Sequence, residues 1–182
     1  PPLRPERVSA SEMLDEVLRP YRAALPGGIR LEASVRPGTP DLFVDRGLTR
    51  RALVNLVQNS LEAMPRGGLL SVIADSGPRR PDGGPGGVRI LVSDTGAGMD
   101  SRTLSRLFEP YFSTKESGTG LGLSIVRKTV EEQGGRLEVT SSPDAGTTII
   151  VDLPSLPGDE GPEPREFRSG TGTGRPRGPS TV

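Results

Sequence analysis

The stretch DRGLTRRALVNLVQNSLEAM, residues 45–64, reads as one long helix. Asp45 is placed to cap its start, and Pro65 with Gly67-Gly68 closes it. Leu53, Val57 and Met64 fall on one face, toward a core, while Asn55, Asn59 and Glu62 share the opposite face. On an isolated helix such a stripe is an ordinary solvated face. Asparagine is a mediocre helix former, however, so two of them mid-helix and one turn apart ask for a reason. An amide oxygen is a hard neutral ligand suited to Mg²⁺, which keeps waters and takes its other oxygens from phosphates.

The flanking chain alternates strand and helix patterns. Upstream, residues 1–7 suggest the end of a linker. VSASEMLDEVLRPYRAAL (8–25) then carries Met13, Leu14, Val17, Leu18 and Tyr21 at helical spacing, with Ser9 or Ser11 as cap and Pro26-Gly27-Gly28 as the stop. IRLEASV (29–35) alternates as a half-buried strand, and DLFV (41–44) is a short one. Downstream, 69–75 and 88–94 read as strands joined by a Pro/Gly-rich loop. Residues 95–118 lack periodicity, which suggests a functional loop or lid. Leu121 to Gln133 reads as a third helix ended by Gly134-Gly135, and 136–141 and 147–154 as two closing strands. After Pro154 the chain turns to Gly, Pro, Arg, Glu, Ser and Thr, too little apolar surface to offset ordering entropy, so 155–182 is expected to be disordered.

Three further clusters bear on chemistry. In VRILVSDTGAGMD (88–100) a strand ends in Asp94, followed by Gly96 and Gly98. Asp-x-Gly is an ordinary turn, but a carboxylate at a strand end also suits an amino group such as that of adenine, with the glycines letting a ring lie near the backbone. LFEPYFSTKES (107–117) gathers Phe108, Tyr111 and Phe112, three of the six aromatic residues, beside Lys115. Those rings suit either a satellite cluster pinning a loop or a hinged cover whose lysine reaches a phosphate as a point charge. In ESGTGLGLSIV (116–126), Gly118, Gly120 and Gly122 lead into a helix, where bare N–H groups and the helix dipole favour an anion. No strand directly precedes these glycines, against a dinucleotide fingerprint, and no Walker A loop is present. The similar SGTGTG (169–174) lies in the tail, where no lid precedes it and no helix follows.

Composition excludes several classes. Lys plus Arg equals Asp plus Glu at 23 each, so no bulk basicity points to nucleic acid. There is no Cys, hence no disulfide or thiolate chemistry. There is no His, which removes His general bases, His-bound metals and any phosphohistidine in this chain. No apolar run is long enough to span a bilayer. A first residue of Pro rather than Met suggests a piece of something longer.

Taken in order, NLVQNSLEAM, DTGAGM, LFEPYFSTK and GTGLGL resemble the asparagine, first glycine, phenylalanine and second glycine boxes of the histidine-kinase catalytic domain. That domain shares a superfamily, the Bergerat ATP-binding fold, with gyrase, the heat-shock chaperone ATPase and the mismatch-repair ATPase. GTTIIVDLP resembles the closing strands, and the likeness covers about 8–154. NSLEAM and FEPYFSTKESGTGLGLSIV most resemble the nitrogen- and dicarboxylate-sensing branch.

The resemblance implies a two-layer α/β sandwich: a mixed five-stranded sheet with three helices on one face. It also implies ATP and Mg²⁺ as ligands. Asn59 would be the main Mg²⁺ ligand, Asn55 would help through the metal or a phosphate, and Glu62 shares their stripe. Asp94 would fix the adenine amino group, with Gly96, Gly98 and Met99 lining the base pocket. A lid over about 100–117 would bring Phe112, Ser113, Thr114 and Lys115 to the nucleotide. Gly118, Thr119, Gly120, Leu121, Gly122 and Leu123 would form the phosphate side, and Thr148 would approach the base. Asn55 and Lys115 would carry catalytic roles.

Hydrolytic relatives place a Glu four residues before the metal-binding Asn; here that position is Asn55, which cannot accept a proton. Without a base for water, ATP waits for another acceptor. The implied acceptor is a His on a dimerisation domain outside this chain, with a response-regulator receiver domain downstream. The implied location is cytoplasmic, whatever anchors the parent protein. A Ser/Thr kinase of the anti-sigma-factor type, a non-catalytic nucleotide-binding module and a hydrolytic ATPase are the competing readings; Asn55 speaks against the last.

Overall fold

In a computed structural model, described over residues 2–79, 81, 83, 86–114 and 122–158, the chain forms seven strands and four helices. They are β1 (Pro5–Val8), α1 (Ala10–Ala23), β2 (Ile29–Val35), β3 (Leu42–Asp45), α2 (Arg46–Glu62), β4 (Gly68–Ser76), β5 (Val88–Asp94), α3 (Ser101–Arg106), α4 (Gly122–Glu132), β6 (Arg136–Ser141) and β7 (Thr147–Leu153). The main sheet has the order β2-β4-β5-β7-β6, with β2 parallel to β4 and every other pairing antiparallel. It is the mixed five-stranded sheet that the motifs imply.

Alternation along the central strands decides where the helices go. Leu70, Val72 and Ala74 of β4, Val88, Ile90 and Val92 of β5, and Ile149, Val151 and Leu153 of β7 are buried on one face. Against it pack Met13, Leu14, Val17 and Leu18 of α1, Leu53, Leu56 and Val57 of α2, and Val126 and Val130 of α4. Burying apolar surface from both layers is the main stabilising term. The opposite sheet face stays half-exposed, and Arg89 and Asp152 pair across it through two bonds of 2.7 and 2.8 Å.

Caps confirm the helix starts. Ser9 Oγ accepts from Glu12 N at 3.1 Å, and Asp45 Oδ1 accepts from Leu48 N at 3.1 Å. Glu16 of α1 and Arg46 of α2 form an ion pair between the two helices.

Four readings need correction. Residues 5–7, suggested as linker, and Val8, suggested as the start of the helical stretch, form β1 and pair antiparallel with β3, from Pro5 opposite Asp45 to Val8 opposite Leu42. Strand β2 is an edge strand, and only Ile29 in it is buried, so its apolar alternation does not mark a half-buried strand. A short helix, α3, occupies part of the aperiodic segment, capped by Asp100 Oδ1 accepting from Thr103 N at 2.7 Å. Ser155 is buried, and Phe43 N donates to Pro154 O at 2.8 Å, so order continues past the last strand; residues 159–182 lie outside the described residues.

Candidate nucleotide-binding site

Asp94 ends β5 on the helix-facing side of the sheet and is buried, at 8% exposure. Its Oδ1 accepts from Gly96 N at 2.9 Å, the tight Asx turn expected of Asp-x-Gly. Among the described residues Oδ2 has no hydrogen-bond partner. A carboxylate oxygen left so deep without a donor is costly. An amino group entering from the site would satisfy it.

The loop after Asp94 is clamped from both sides. Toward α2, Ala97 N donates to Ala63 O at 3.3 Å, and a Cβ on Gly96 would lie 2.5 Å from that same oxygen. Toward the β6–β7 hairpin, Met99 N donates to Ser141 Oγ at 2.9 Å, and Asp144 N donates to Ala97 O at 2.7 Å. Ser141 Oγ in turn lies 2.9 Å from both Gly146 O and Thr147 Oγ1. Gly96 and Gly98 are therefore required by the protein's own close packing, beyond any role in lining a base pocket.

That clamp brings Asp94 to the last turn of α2. Ala63 N bonds Asn59 O at 3.0 Å, so the residue touching the Gly96 turn is one helical turn from Asn59. Asn55 and Asn59 are half-buried and Glu62 is exposed, away from buried Leu53, Leu56 and Val57, as the periodicity predicts. No cluster of three or more His, Cys, Asp or Glu with metal-binding geometry exists among the described residues. Two amide oxygens suit a cation whose remaining ligands are waters and phosphate oxygens, the habit of Mg²⁺.

Helix α4 supplies the third side. Ala52, Leu53 and Leu56 face Val126 and Val130, and Gln133 at the far end of α4 meets Thr49 near the start of α2. The two helices thus run antiparallel. Counting back from Gln133 to Gly122 spans about 16 Å, and from Thr49 to Asn59 about 15 Å, at roughly 1.5 Å per residue. The start of α4 is level with Asn59. Among the described residues no atom lies within 4 Å of where a Gly122 Cβ would sit, and Leu123 beside it packs against the core.

Of the expected lid, 100–117, the described residues end at Thr114. Phe108 packs against the core with the Arg127 guanidinium 5.0 Å from its ring centroid, and Arg106 lies 4.5 Å over Phe112. Tyr111 instead points outward, 80% exposed, at a φ of 64°. The three rings do not form one cluster. Ser113 and Thr114 are exposed. Lys115, Gly118, Thr119, Gly120 and Leu121 lie outside the described residues.

Thr148 stands on the other side of the sheet from Asp94. It pairs with Ser93 across the ladder, with the hydroxyls 2.9 Å apart, on the sheet face away from Asp94. Thr147 is the residue opposite Asp94 on the helix-facing side, its hydroxyl held by Ser141. The sequence offered two adjacent threonines, and only the register tells them apart.

Residues 44–157 match the family described as histidine kinase-, DNA gyrase B- and HSP90-like ATPases. The chain belongs to that ATPase family. Among curated relatives it is 35% identical over 127 residues to the sensor protein FixL of Bradyrhizobium diazoefficiens, covering 70% of this chain and 24% of FixL. It therefore spans about a quarter of the length of this curated relative. Among solved structures, the catalytic domain of histidine kinase ThkA superposes with a TM-score of 0.71 at 26% identity, covering 83% of this chain and 95% of that one. Full-length ShkA in complex with AMPPNP superposes with a TM-score of 0.73 at 25% identity, covering 87% of this chain and 33% of ShkA. No described helix is long and apolar enough to cross a membrane.

Proposed function

We propose that this chain is the ATP-binding catalytic domain of a two-component sensor histidine kinase, spanning about 8–154 with a lid over 100–117. Its task is to deliver the γ-phosphoryl of ATP to a histidine on a dimerisation domain outside this chain. The P–O bond to the β-phosphate breaks, an N–P bond forms at the imidazole, and ADP leaves. A response-regulator receiver domain then takes the phosphoryl group. The work is cytoplasmic. The branch reading, toward nitrogen- and dicarboxylate-sensing kinases, rests on the wording of NSLEAM and FEPYFSTKESGTGLGLSIV alone.

The observation that carries this reading is the buried Asp94, with Oδ2 unpartnered among the described residues, one loop away from the asparagine stripe. Asp94 holds the adenine amino group, with Thr147 beside it rather than Thr148. Asn59, with Asn55, orients Mg²⁺, which when bound neutralises phosphate charge. Gly122 and Leu123 present the opening N–H groups of α4 to the phosphates, and Lys115 adds a positive charge from the lid. Asn55 cannot accept a proton from water, so it leaves ATP intact until a histidine arrives.

Calorimetry with Mg²⁺ and AMPPNP tests the site. Asp94→Ala and Asn59→Ala are each expected to weaken binding at least about tenfold, roughly 1.4 kcal/mol. Unchanged affinity in both folded variants removes the assignment.

A further inference from the structure

The polar clasp between the start of α2 and the end of α4 lies far from every residue assigned above. Gln133 Oε1 accepts from the backbone N–H of Asp45 at 2.7 Å and from the Thr49 hydroxyl at 3.3 Å, while its Nε2 donates to Thr129 O at 3.1 Å. One amide side chain thereby ties the last turn of α4 to the N-cap residue of α2 and to a threonine that is 2% exposed. Alongside the clasp, Ala52, Leu53 and Leu56 of α2 face Val126 and Val130 of α4 through apolar contact. Apolar contact is non-directional and tolerates sliding. A hydrogen bond to a backbone N–H does not, because its geometry degrades steeply with angle.

We infer that Gln133 is a positioning residue that sets the axial register of α4 on α2. It thereby fixes the spacing between the phosphate-facing start of α4 and the asparagine stripe of α2. The inference rests on the nucleotide-binding reading above. The lever is direct: the helices are antiparallel, and Gln133 sits at one end of the pair with Gly122 and Asn59 level at the other. A slip at the clasp is carried along a rigid helix to the phosphates. Asp94 and the base side are anchored separately, through Ala63 and Ser141, and are unaffected.

The full chain therefore distinguishes two ligands. AMPPNP with Mg²⁺ uses both sides of the site, and adenosine uses the Asp94 side only. Gln133→Met keeps volume but removes acceptor and donor; it is expected to weaken AMPPNP about fivefold to tenfold while adenosine changes less than about twofold, both followed by titration in NMR. Thr49→Val, near-isosteric and with the Asp45 bond kept, is expected to weaken AMPPNP alone by about twofold. It carries the test if Gln133→Met does not fold. A general loss of structure would move both ligands together. Equal changes for the two ligands, or no change for either in the folded variants, overturn the positioning role. A parent chain that binds neither ligand overturns the nucleotide reading instead.

Discussion

A Cβ built on Gly98 would overlap the Ser142 carbonyl oxygen, and φ there is +65°. Gly122, by contrast, has open space where its Cβ would be among the described residues, at the first position of a helix. The two glycines thus separate folding from binding. Gly98→Ala is expected to cost on the order of 2 kcal/mol or more in urea denaturation, from strain and overlap. Gly122→Ala is expected to leave stability unchanged or raise it by up to about 1 kcal/mol, since alanine suits a helix better. Only AMPPNP affinity should fall in it. Asn55→Glu addresses chemistry. A carboxylate there can accept a proton from water, so ADP release without any histidine acceptor is expected to rise on the order of tenfold or more. Release no faster than the parent's would show that the amide is not what protects ATP. The helical period put Asn55 and Asn59 on the face away from the core, and the Asp-x-Gly turn put Asp94 at a strand end, while their roles were implied by the resemblance. Thr147 was not legible, because a strand reverses face at every residue and the sequence does not print the register.

Among elements, all but β1 and α3 were readable, four-residue β3 included. α2 and α4 declare themselves through apolar faces and end signals. β1 reads Pro-Glu-Arg-Val with only Val8 buried, and α3 buries nothing, so neither shows an apolar pattern. β2 misled for a different reason. Its Ile29, Leu31, Ala33 and Val35 alternate, but the strand lies at the sheet edge, beyond the reach of the helix layer over most of its length. β1 has a structural use that its sequence does not announce. Asp45 Oδ1 caps α2 while its Oδ2 accepts from Arg4 N at 3.1 Å, so one carboxylate joins the entering strand to the helix that carries Asn55 and Asn59. Asp45→Ala is expected to cost about 1 kcal/mol or somewhat more, as for other N-caps. Asp45→Ser restores the cap but its side chain is too short to reach Arg4. Amide exchange should then stay slow in the first turn of α2 and quicken in residues 5–8. Equal protection of β1 in parent and Asp45→Ser would show that the strand is seated by its ladder with β3 alone.

At the scale of the whole molecule, the absence of His and Cys governs how stability responds to pH. No side chain has an ordinary pKa between 5 and 8. The groups that are moved lie lower or higher. Glu16 is held below the usual carboxylate range by its hydrogen bond from Arg46, Asp45 by the backbone N–H groups of Leu48 and Arg4, and Asp100 by that of Thr103. Tyr21 is pushed above its usual value by burial. A carboxylate whose folded pKa is depressed stabilises the fold in full above its unfolded pKa and loses that contribution as pH falls through the folded one. Thermal unfolding is therefore expected at one temperature across pH 6 to 8, with the midpoint falling only below about pH 4.5, where unfolded carboxyls begin to take up protons. Asp45→Asn should flatten part of that acid limb, because it removes one of the linked protons. The same flatness carries a functional consequence. With no His or Cys in the chain, a step in AMPPNP affinity between pH 6 and 8 is expected to come from the nucleotide's own phosphates. Titration with adenosine, which carries no phosphate, separates the two, and a step that persists with adenosine would come from the domain.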